Sequence, residues 1–303
     1  MKTMHKLVAL LLALLCTVAM TTLAGAEDLL SLSDIQDRTY AKNILENHTT
    51  AHQSMVYYGI QMGDETIDAT FDYYYVNTDD GLVLYNEDSL GLKQMVRKDM
   101  VIRKAGDSEA EMLGFIDDSA FETVYLPMVE GPLYQQDAPS ERLVNKREIG
   151  SQVYITVEND VAQSIRKPVF ENLWGITDGK VVFEIVFDKA SGDFLYSSTS
   201  HLSVNGELKL LVEAPIVYDV QYVIPEFIKT AIAEAETRTV HVVVNPGSDD
   251  SKEYTYQVPV GLHFTLYTQS PHTLYTDEAM TQVYEGHDGE LPMECTVYAK
   301  VEG

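Results

Sequence analysis

The sequence predicts a mainly β protein (α+β), with a large antiparallel sheet, a few helices and a small β module at the end. Three observations predict this class. Apolar and polar residues alternate over several long stretches, which is typical of half-buried strands. Turn-forming residues separate these stretches at the spacing of hairpins. After Thr237 the predicted strands become short and are separated by Asn245-Pro246-Gly247, Pro259 and Pro271.

The first 26 residues have the composition of a secretory signal peptide. Lys2 and Lys6 precede the apolar stretch Leu7–Ala19, and the small residues Ala24–Ala26 form a cleavage site. The apolar stretch is too short for a membrane span. We therefore expect a mature protein that begins at Glu27 and is secreted or extracytoplasmic, in the periplasm or on the cell surface.

The charge balance argues against two classes of partner. The chain has 47 acidic residues and 21 Lys and Arg; loss of Lys2 and Lys6 with the signal peptide leaves 19 basic residues and a formal charge of −28. Such a surface repels nucleic acid and anionic lipid headgroups. We expect no nucleic-acid partner, and no later stretch is long enough for a transmembrane anchor.

The two cysteines predict no disulfide framework. Cys16 lies in the predicted signal peptide after Leu15, where bacterial lipid attachment requires a small residue, so a lipoprotein anchor is not expected. Cys295 alone remains in the mature chain, which cannot then form an intramolecular disulfide. We expect a buried inert thiol, with intermolecular pairing as the alternative.

A short helix and a first strand open the mature chain. Ser31 or Ser33 can cap a helix whose apolar stripe includes Ile35 and Ile44 and ends near Glu46. Strand signals follow at 54–60.

The clearest hairpin runs from Thr66 to Tyr85. Its first strand places five apolar or aromatic residues on one face: Ile67, Ala69, Phe71, Tyr73 and Tyr75. The turn Asn77–Gly81 leads into the second strand, and shorter strands are predicted at 92–96 and 100–102.

The pattern weakens between residues 105 and 150. Asp117 or Asp118 can cap a short helical turn that reaches Leu126, and Pro127, Pro132 and Pro139 then favour an irregular path. The sequence predicts an insertion that lies over the sheet.

Strands resume at 152–157. A helix is predicted at 159–165 and is expected to end before Pro168. The strongest β signal follows at Val181–Phe187, which the loop 188–192 connects to a strand at 193–204.

Asn205-Gly206 is the best signal for a two-residue type I′ hairpin, since both positions of that turn need a positive φ. Strands are predicted at 207–213 and, by alternation, at 216–224. Pro225 then predicts a helix start at a domain connector. The predicted division is a domain at 27–225, a helical connector at 226–236 and a small module at 237–303.

Two resemblances refine this division. VPVGLHFTL at 258–266, the turn Tyr275–Asp277 and the ending Tyr298–Lys300 resemble the internalin B-repeat family of β-grasp-like surface modules. The element order of the larger domain, with FEIVFDKASGDFLYSS at 183–198, resembles the LolA-like half-barrel envelope proteins. That resemblance implies a curved sheet that holds lipid or acyl chains on its concave face.

Three patterns in the sequence have the spacing of catalytic or metal sites. Ser164 and Lys167 have the SxxK spacing of penicillin-recognising enzymes, but Pro168 follows and the partner motifs are missing. His48 and His52 have a metal-ligand spacing, but a third ligand is missing, and solvated histidines are the simpler interpretation.

Asp72 and Glu184 could pair as glycosidase carboxylates, but residues on the wet face of strands explain them more simply. We expect no catalytic residues, no metal and no cofactor, and therefore no enzyme.

The aromatic residues of the strands remain as candidates for binding. Most buried aromatics serve packing, but an apolar wall with a few hydroxyls can also line a pocket. The candidate groove consists of Phe71, Tyr73, Tyr75, Phe183, Ile185 and Phe187, with the segment Phe115–Met128 as its cover.

The first functional hypothesis is an exported binding protein that holds an apolar or amphiphilic ligand, a lipid or acyl chain, on this face. The alternative is an adhesion protein whose small module binds a surface protein or glycan, with the larger domain as a spacer.

Overall fold

The structure is a computed structural model and describes residues 31–79, 81–98, 100–115, 121–135, 141–233, 236–267, 272–284 and 292–301. The predicted signal peptide and the predicted caps Asp117 and Asp118 lie outside the described residues. Within the described ranges, no helix is both long and apolar enough to cross a membrane.

Short helices occur at several points along the chain. Their bounds are α1 Leu32–Arg38, α2 Ala41–Ile44, a π-helix Phe121–Tyr125, α3 Leu126–Glu130, a 3₁₀ helix Val161–Gln163, α4 Lys167–Trp174 and α5 Glu226–Ala233.

Strands make up most of the described chain. Their bounds are β1 Thr50–Met62, β2 Glu65–Thr78, β3 Gly81–Asp88, β4 Leu92–Arg97, β5 Met100–Ala105, β6 Glu111–Phe115, β7 Arg142–Ile149, β8 Gln152–Asp160, β9 Lys180–Asp188, β10 Phe194–Leu202, β11 Leu208–Tyr218, β12 Thr237–Val244, β13 Lys252–Pro259, β14 His263–Tyr267, β15 His272–Tyr275 and β16 Glu294–Val301. The predicted fold class, a mainly β protein with a large curved sheet and few helices, is confirmed.

The large sheet is mixed, although the sequence predicts an antiparallel one. Its strand order is β14-β6-β5-β4-β3-β2-β1-β11-β10-β9-β8-β7, and β14 pairs with β6 in parallel. A four-stranded sheet has the order β13-β12-β16-β15, with a parallel central pair and antiparallel edges. Both parallel pairs join strands distant in sequence, which local turn signals cannot reveal.

Contacts divide the chain into two compact units. The first comprises the chain up to Tyr74 together with Gly131–Val220, and the second comprises Tyr75–Glu130 and Gln221–Gly303. The predicted domain boundaries at 225 and 237 stay a prediction.

One face of the sheet in the first unit carries the core, and we call it the inner face. Cross-strand register aligns Ile155, Ile185, Ser197 and Ala214 on neighbouring strands. The next row includes Phe183, Thr199, Val212 and Tyr57. Ile155, Ile185 and Phe183 are buried. Helix α4 also packs on this face, as shown by Trp174, whose ring stacks on Tyr57 with 6.1 Å between ring centroids.

The predicted first helix and hairpin are present. Ser31 caps α1 in a capping box: its hydroxyl accepts from the Asp34 N–H at 3.1 Å, and the Asp34 carboxylate accepts from the Ser31 N–H at 2.8 Å. β2 and β3 form the hairpin predicted at 66–85.

Two predictions about turns and helix ends are wrong. The helix predicted at 159–165 is the end of β8 and a single 3₁₀ turn, and Pro168 begins α4 instead of ending a helix. The first turn of a helix leaves its N–H groups unbonded, so proline costs nothing there. The turn at Asn205-Gly206 is not type I′, because only Gly206 has a positive φ, of 82°. Ser203 closes a longer turn by donating its N–H to the Glu207 carbonyl at 2.9 Å.

The region predicted to be irregular at 105–150 contains β6 and β7. β7 is an edge strand that carries the charged residues Arg142, Lys146, Arg147 and Glu148. Such charges protect an edge strand from pairing with other chains. They also hide the apolar alternation by which a strand is predicted. In β6, a Cβ at Gly114 would lie 2.7 Å from the Phe264 ring, so close packing requires the glycine that breaks the strand pattern.

Two predicted strands near the ends of the sheets are also shorter or missing. The alternation predicted to reach residue 224 ends at Tyr218, because Asp219 has a φ of 54°. One of the short strands predicted after Thr237 covers 281–286; in its described part, 281–284, only Val283 bridges to Tyr275. Asp277 organises this segment as a turn, with its carboxylate accepting from the N–H groups of Thr281 at 2.9 Å and Gln282 at 2.7 Å.

Candidate functional site

Helix α4 is fixed firmly against the inner face. Pro168 stands in its first turn, and Gly175 caps its C-terminus with a φ of 66°. The Trp174 indole N–H donates to the Tyr58 carbonyl at 2.7 Å. Phe170 and Trp174 are buried, so the apolar side of the helix faces the sheet.

A cavity of about 200 Å³ remains between α4 and the inner face, and we call it the apolar cavity. Its wall combines the sheet, α4 and the segment 133–134. The apolar and aromatic lining residues are Met55, Tyr57, Leu133, Tyr134, Val169, Phe170, Trp174, Phe183, Ile185, Val212 and Ala214. Ser197, Ser198 and Thr199 add polar groups along β10.

Arg166 supplies the only formal charge among the residues that line this cavity in the described chain. Its guanidinium carbon lies 5.4 Å from the centroid of the Phe183 ring, and its Nη2 donates to the Gln135 carbonyl at 2.9 Å. Burial raises the pKa of Tyr57, and the nearby Arg166 charge acts in the opposite direction. The site therefore combines a mainly apolar wall with one cation held by two contacts.

The structure brings only part of the predicted groove together. Phe183 and Ile185 line the apolar cavity. Phe71 lies beside the cavity. Its ring packs edge-to-face on Tyr57, with 5.1 Å between the two ring centroids. Tyr73 is half-buried and outside the lining.

Two predicted groove residues serve elsewhere. Phe187 is buried on the same face but packs on Phe194, at 5.8 Å between ring centroids, and does not line the cavity. Tyr75 is buried in the core of the second unit. Whether any of the six residues binds a ligand stays a prediction.

The predicted cover has a different place. The described residues of Phe115–Met128 belong to the second unit, and none of them lines the apolar cavity. Phe115, Phe121 and Tyr125 form an aromatic cluster there, with centroid distances of 5.1 and 5.3 Å from Phe115. Phe115, Phe121 and Leu126 line a separate cavity of about 310 Å³.

Sequence reasoning missed two elements of the site. No pattern in the sequence singles out Trp174, and Arg166 lies between Ser164 and Lys167 in the rejected SxxK motif. A helix beginning at Pro168 and ending at Gly175 was the available signal, since proline in the first turn and glycine after the last are typical of helix ends.

The rejected catalytic patterns are explained by other contacts. Ser164 is buried and its hydroxyl accepts from the Arg166 N–H at 3.0 Å, whereas Lys167 lies 3.5 Å from Glu171. Glu184 is paired with Arg147 at 2.6 Å; burial raises the pKa of Glu184, and Arg147 opposes that rise.

The two histidines keep partly exposed side chains, as the simpler interpretation of the sequence implies, but each is also paired with a carboxylate. His52 Nε2 lies 2.8 Å from the Asp72 carboxylate, and its ring stacks on Tyr74. His48 Nδ1 lies 2.9 Å from Asp219, and its side chain is 16% exposed. In the described part of the chain, no group of three or more His, Cys, Asp or Glu side chains is arranged to hold a metal ion.

Comparisons with known proteins return structural likenesses alone. No protein-family model matches the sequence, and no curated protein is a significant match. The chain is similar to LprF from Mycobacterium bovis, with 11% identity, a TM-score of 0.26 and coverage of 61% of this chain and 96% of that one. It is similar to a DUF1329 family protein from Desulfovibrio piger, with 12% identity, a TM-score of 0.26 and coverage of 62% and 93%. Overlaps of this size assign neither a family nor a ligand.

Proposed function

We propose that this chain is an exported, non-enzymatic binding protein whose first unit holds the apolar end of an amphiphile in the apolar cavity. The observation that carries the proposal is the space of about 200 Å³ that well-packed side chains leave between α4 and the sheet. Protein interiors are close-packed, and voids larger than a water molecule are few. A void of this size is therefore a candidate binding site.

The size of the cavity limits its occupant. An apolar cavity of about 150 Å³ can stay dry and bind benzene, whereas pockets for drug-sized ligands have about 300–1,000 Å³. The apolar cavity lies between these values. It suits one ring or the end of one acyl chain, with the rest of the ligand outside.

The polar groups on the wall favour an amphiphile over a hydrocarbon. Arg166 is held by Phe183 and the Gln135 carbonyl, and Ser197 and Thr199 lie on the same face of β10. A buried or half-buried polar group is costly without a partner. A ligand with polar atoms beside its apolar end can bond to the Ser197 and Thr199 hydroxyls, and a pure hydrocarbon cannot.

Trp174 provides a direct test, since it is the single tryptophan of the chain and lines the cavity. A fatty acid brominated near the end of its chain should quench Trp174 fluorescence in a saturable way. Ala214→Leu places extra methyl groups in the cavity and should abolish the quenching. Val217→Leu, at a side chain that is 56% exposed, is the matched control and should leave it intact.

Two results would contradict the proposal. One is the absence of saturable quenching in the wild-type protein. The other is equal quenching in Ala214→Leu, with circular dichroism showing that the variant is folded. If neither result is found, mass spectrometry of an organic extract of the purified protein identifies the natural occupant of the cavity.

A further inference from the structure

The first unit contains a second cavity, which differs from the first in size and chemistry. It has a volume of about 440 Å³ and lies between the α1–α2 segment and the turn from β9 to β10. We call it the polar cleft. Its volume falls within the range of about 300–1,000 Å³ that is typical of small-molecule sites.

Hydrogen bonds fix the helical wall of the polar cleft. The Thr39 hydroxyl lies 2.8 Å from the Gln36 carbonyl and 3.2 Å from the Tyr134 carbonyl, both within donating distance. The Asn43 amide donates to the Asp37 carbonyl at 2.5 Å, which ties the end of α1 to α2. The side chains that line this wall therefore start from a defined backbone.

The opposite wall is a tight turn. The Asp188 carboxylate accepts from the N–H groups of Ala190 at 2.8 Å and Ser191 at 2.9 Å. Gly192 follows with a φ of 80°. A Cβ at Gly192 would lie 4.0 Å from Arg38 Nη1, so the guanidinium reaches from the helical wall to the turn.

Arg38 is placed as an anion receptor. Its guanidinium carbon lies 6.0 Å from the centroid of the buried Phe187 ring. Among the described residues, no carboxylate lies within ion-pair distance of it. A guanidinium offers five donors in a planar fork that matches a carboxylate.

Three carboxylates share the cleft with Arg38: Asp37, Glu46 and Asp193. Asp193 is backed by His48, whose Nε2 lies 3.4 Å from its carboxylate. His48 is in turn fixed by Asp219 at 2.9 Å and by stacking on Tyr218 at 4.1 Å between ring centroids. The lining therefore offers one cation and an excess of negative charge.

We propose that the polar cleft binds a small zwitterion with an excess of positive charge, the class of the basic amino acids. The carboxylate of such a ligand pairs with Arg38, and its cationic groups pair with Asp37, Glu46 and Asp193. The charges of the polar cleft favour a ligand with a carboxylate at one end and cationic groups at the other. The acidic wall repels monoanions, and a dication without a carboxylate leaves Arg38 unpaired. This site is independent of the apolar cavity and of the function proposed for it.

Isothermal titration calorimetry on the mature chain tests the proposal with three probes: L-arginine, agmatine, which lacks the carboxylate, and L-glutamate. L-arginine should bind most tightly, agmatine more weakly, and L-glutamate should show no binding. Arg38→Gln should weaken L-arginine binding by about tenfold or more, since a charge-assisted bidentate pair is lost. The same variant should not weaken agmatine binding, because agmatine has no carboxylate to pair with Arg38 and loss of the guanidinium only removes a like charge.

Asp193→Asn should weaken both L-arginine and agmatine. Arg142→Gln, which removes an exposed arginine on β7, is the matched control and should behave as the wild type. The proposal is overturned if L-arginine does not bind, or if folded Arg38→Gln binds it as the wild type does. Equal loss in Arg142→Gln would also overturn it, since the effect would then be one of net charge.

Discussion

Strand β9 presents two phenylalanines on one face, and an arginine lies over each of them. Arg166 lies 5.4 Å from the Phe183 centroid at the apolar cavity, and Arg38 lies 6.0 Å from the Phe187 centroid at the polar cleft. The two pairs are four residues apart on β9 and have the same local chemistry. Their surroundings are nevertheless opposite.

The difference lies in what else each arginine contacts. Arg166 donates to a backbone carbonyl beneath α4, so it is part of a packed cover over apolar side chains. Arg38 extends into a cleft lined by carboxylates and has no ion-pair partner in the described part of the chain. A cation–π contact of about 0.5–1 kcal/mol positions a guanidinium but does not decide its role. Its remaining donors decide whether it stabilises the fold or remains available to a ligand.

The largest expected effect comes from weakening the packing of α4 over the apolar cavity. Trp174→Ala removes the buried indole and its hydrogen bond to Tyr58, and should lower the free energy of unfolding by about 3–5 kcal/mol. Trp174→Phe keeps most of the packing and should cost about 1–2 kcal/mol, much of it for the unpaired carbonyl. Urea unfolding followed by far-UV circular dichroism measures both. A loss in the free energy of unfolding below about 1 kcal/mol for Trp174→Ala would contradict the conclusion that α4 packs firmly over the apolar cavity.

The two arginines can be compared directly. Arg166→Gln loses the bond to Gln135 and the contact with Phe183, and should cost roughly 1.5 kcal/mol. Arg38→Gln loses no ion pair among the described residues but loses its contact with the Phe187 ring, so it should cost about 0.5–1 kcal/mol. The difference between the two midpoints of urea unfolding is the measurement. Equal costs would contradict the distinction between a packed and an available guanidinium.

The sequence predicted strand β9 well, but it predicted the roles of the β9 side chains poorly. Alternation placed Phe183, Ile185 and Phe187 on one face, as the register confirms, since the period of two depends on local backbone geometry alone. The split between two cavities depends on which helix packs above each residue. Arg38 lies 149 positions before Phe187, and no local pattern connects them.

The polar partners of the histidines could not be predicted from the sequence either. His48 meets Asp219 across 171 positions, so its spacing from His52 could suggest a metal pair or two solvated rings but could not reveal the carboxylate partner of either ring. By contrast, the capping box of Ser31 and Asp34 spans three residues and was readable from the sequence. The part of the site that could be predicted is the part determined within one turn or one strand.

The cap of α1 offers a way to disturb the polar cleft alone. Ser31→Ala removes the hydroxyl that accepts from the Asp34 N–H, and should cost about 1 kcal/mol, the typical value for an N-cap. Because α1 carries Arg38 and does not line the apolar cavity, quenching of Trp174 by a brominated fatty acid should be unchanged. Ser33→Ala, on the exposed side of the same helix, is the control. Loss of quenching in Ser31→Ala would show that the two sites are coupled.

The smallest expected effect concerns the wall behind the polar cleft and depends on pH. Burial alone would lower the pKa of His48, but the hydrogen bond to Asp219 and the nearby Asp193 carboxylate outweigh burial and raise the pKa above its ordinary value of 6.5. A raised pKa in the folded state stabilises the protein below the unfolded pKa of about 6.5, and this stability is lost as the pH rises through the folded value. The loss should reach at most about 1 kcal/mol, because Asp219 is 59% exposed and solvent screens the pair.

His48→Gln should remove this fall in stability above pH 6.5, whereas His241→Gln, at a partly exposed histidine of β12, should keep it. Urea unfolding between pH 6 and 9 measures both variants. If the fall persists in His48→Gln, another group causes it, and His48 does not carry the charge that positions Asp193. The acidic wall of the polar cleft would then act at full charge at every pH in this range. In that case L-arginine binding should not change with pH while His48 titrates, and the contrast with the mainly apolar lining of the apolar cavity would be larger.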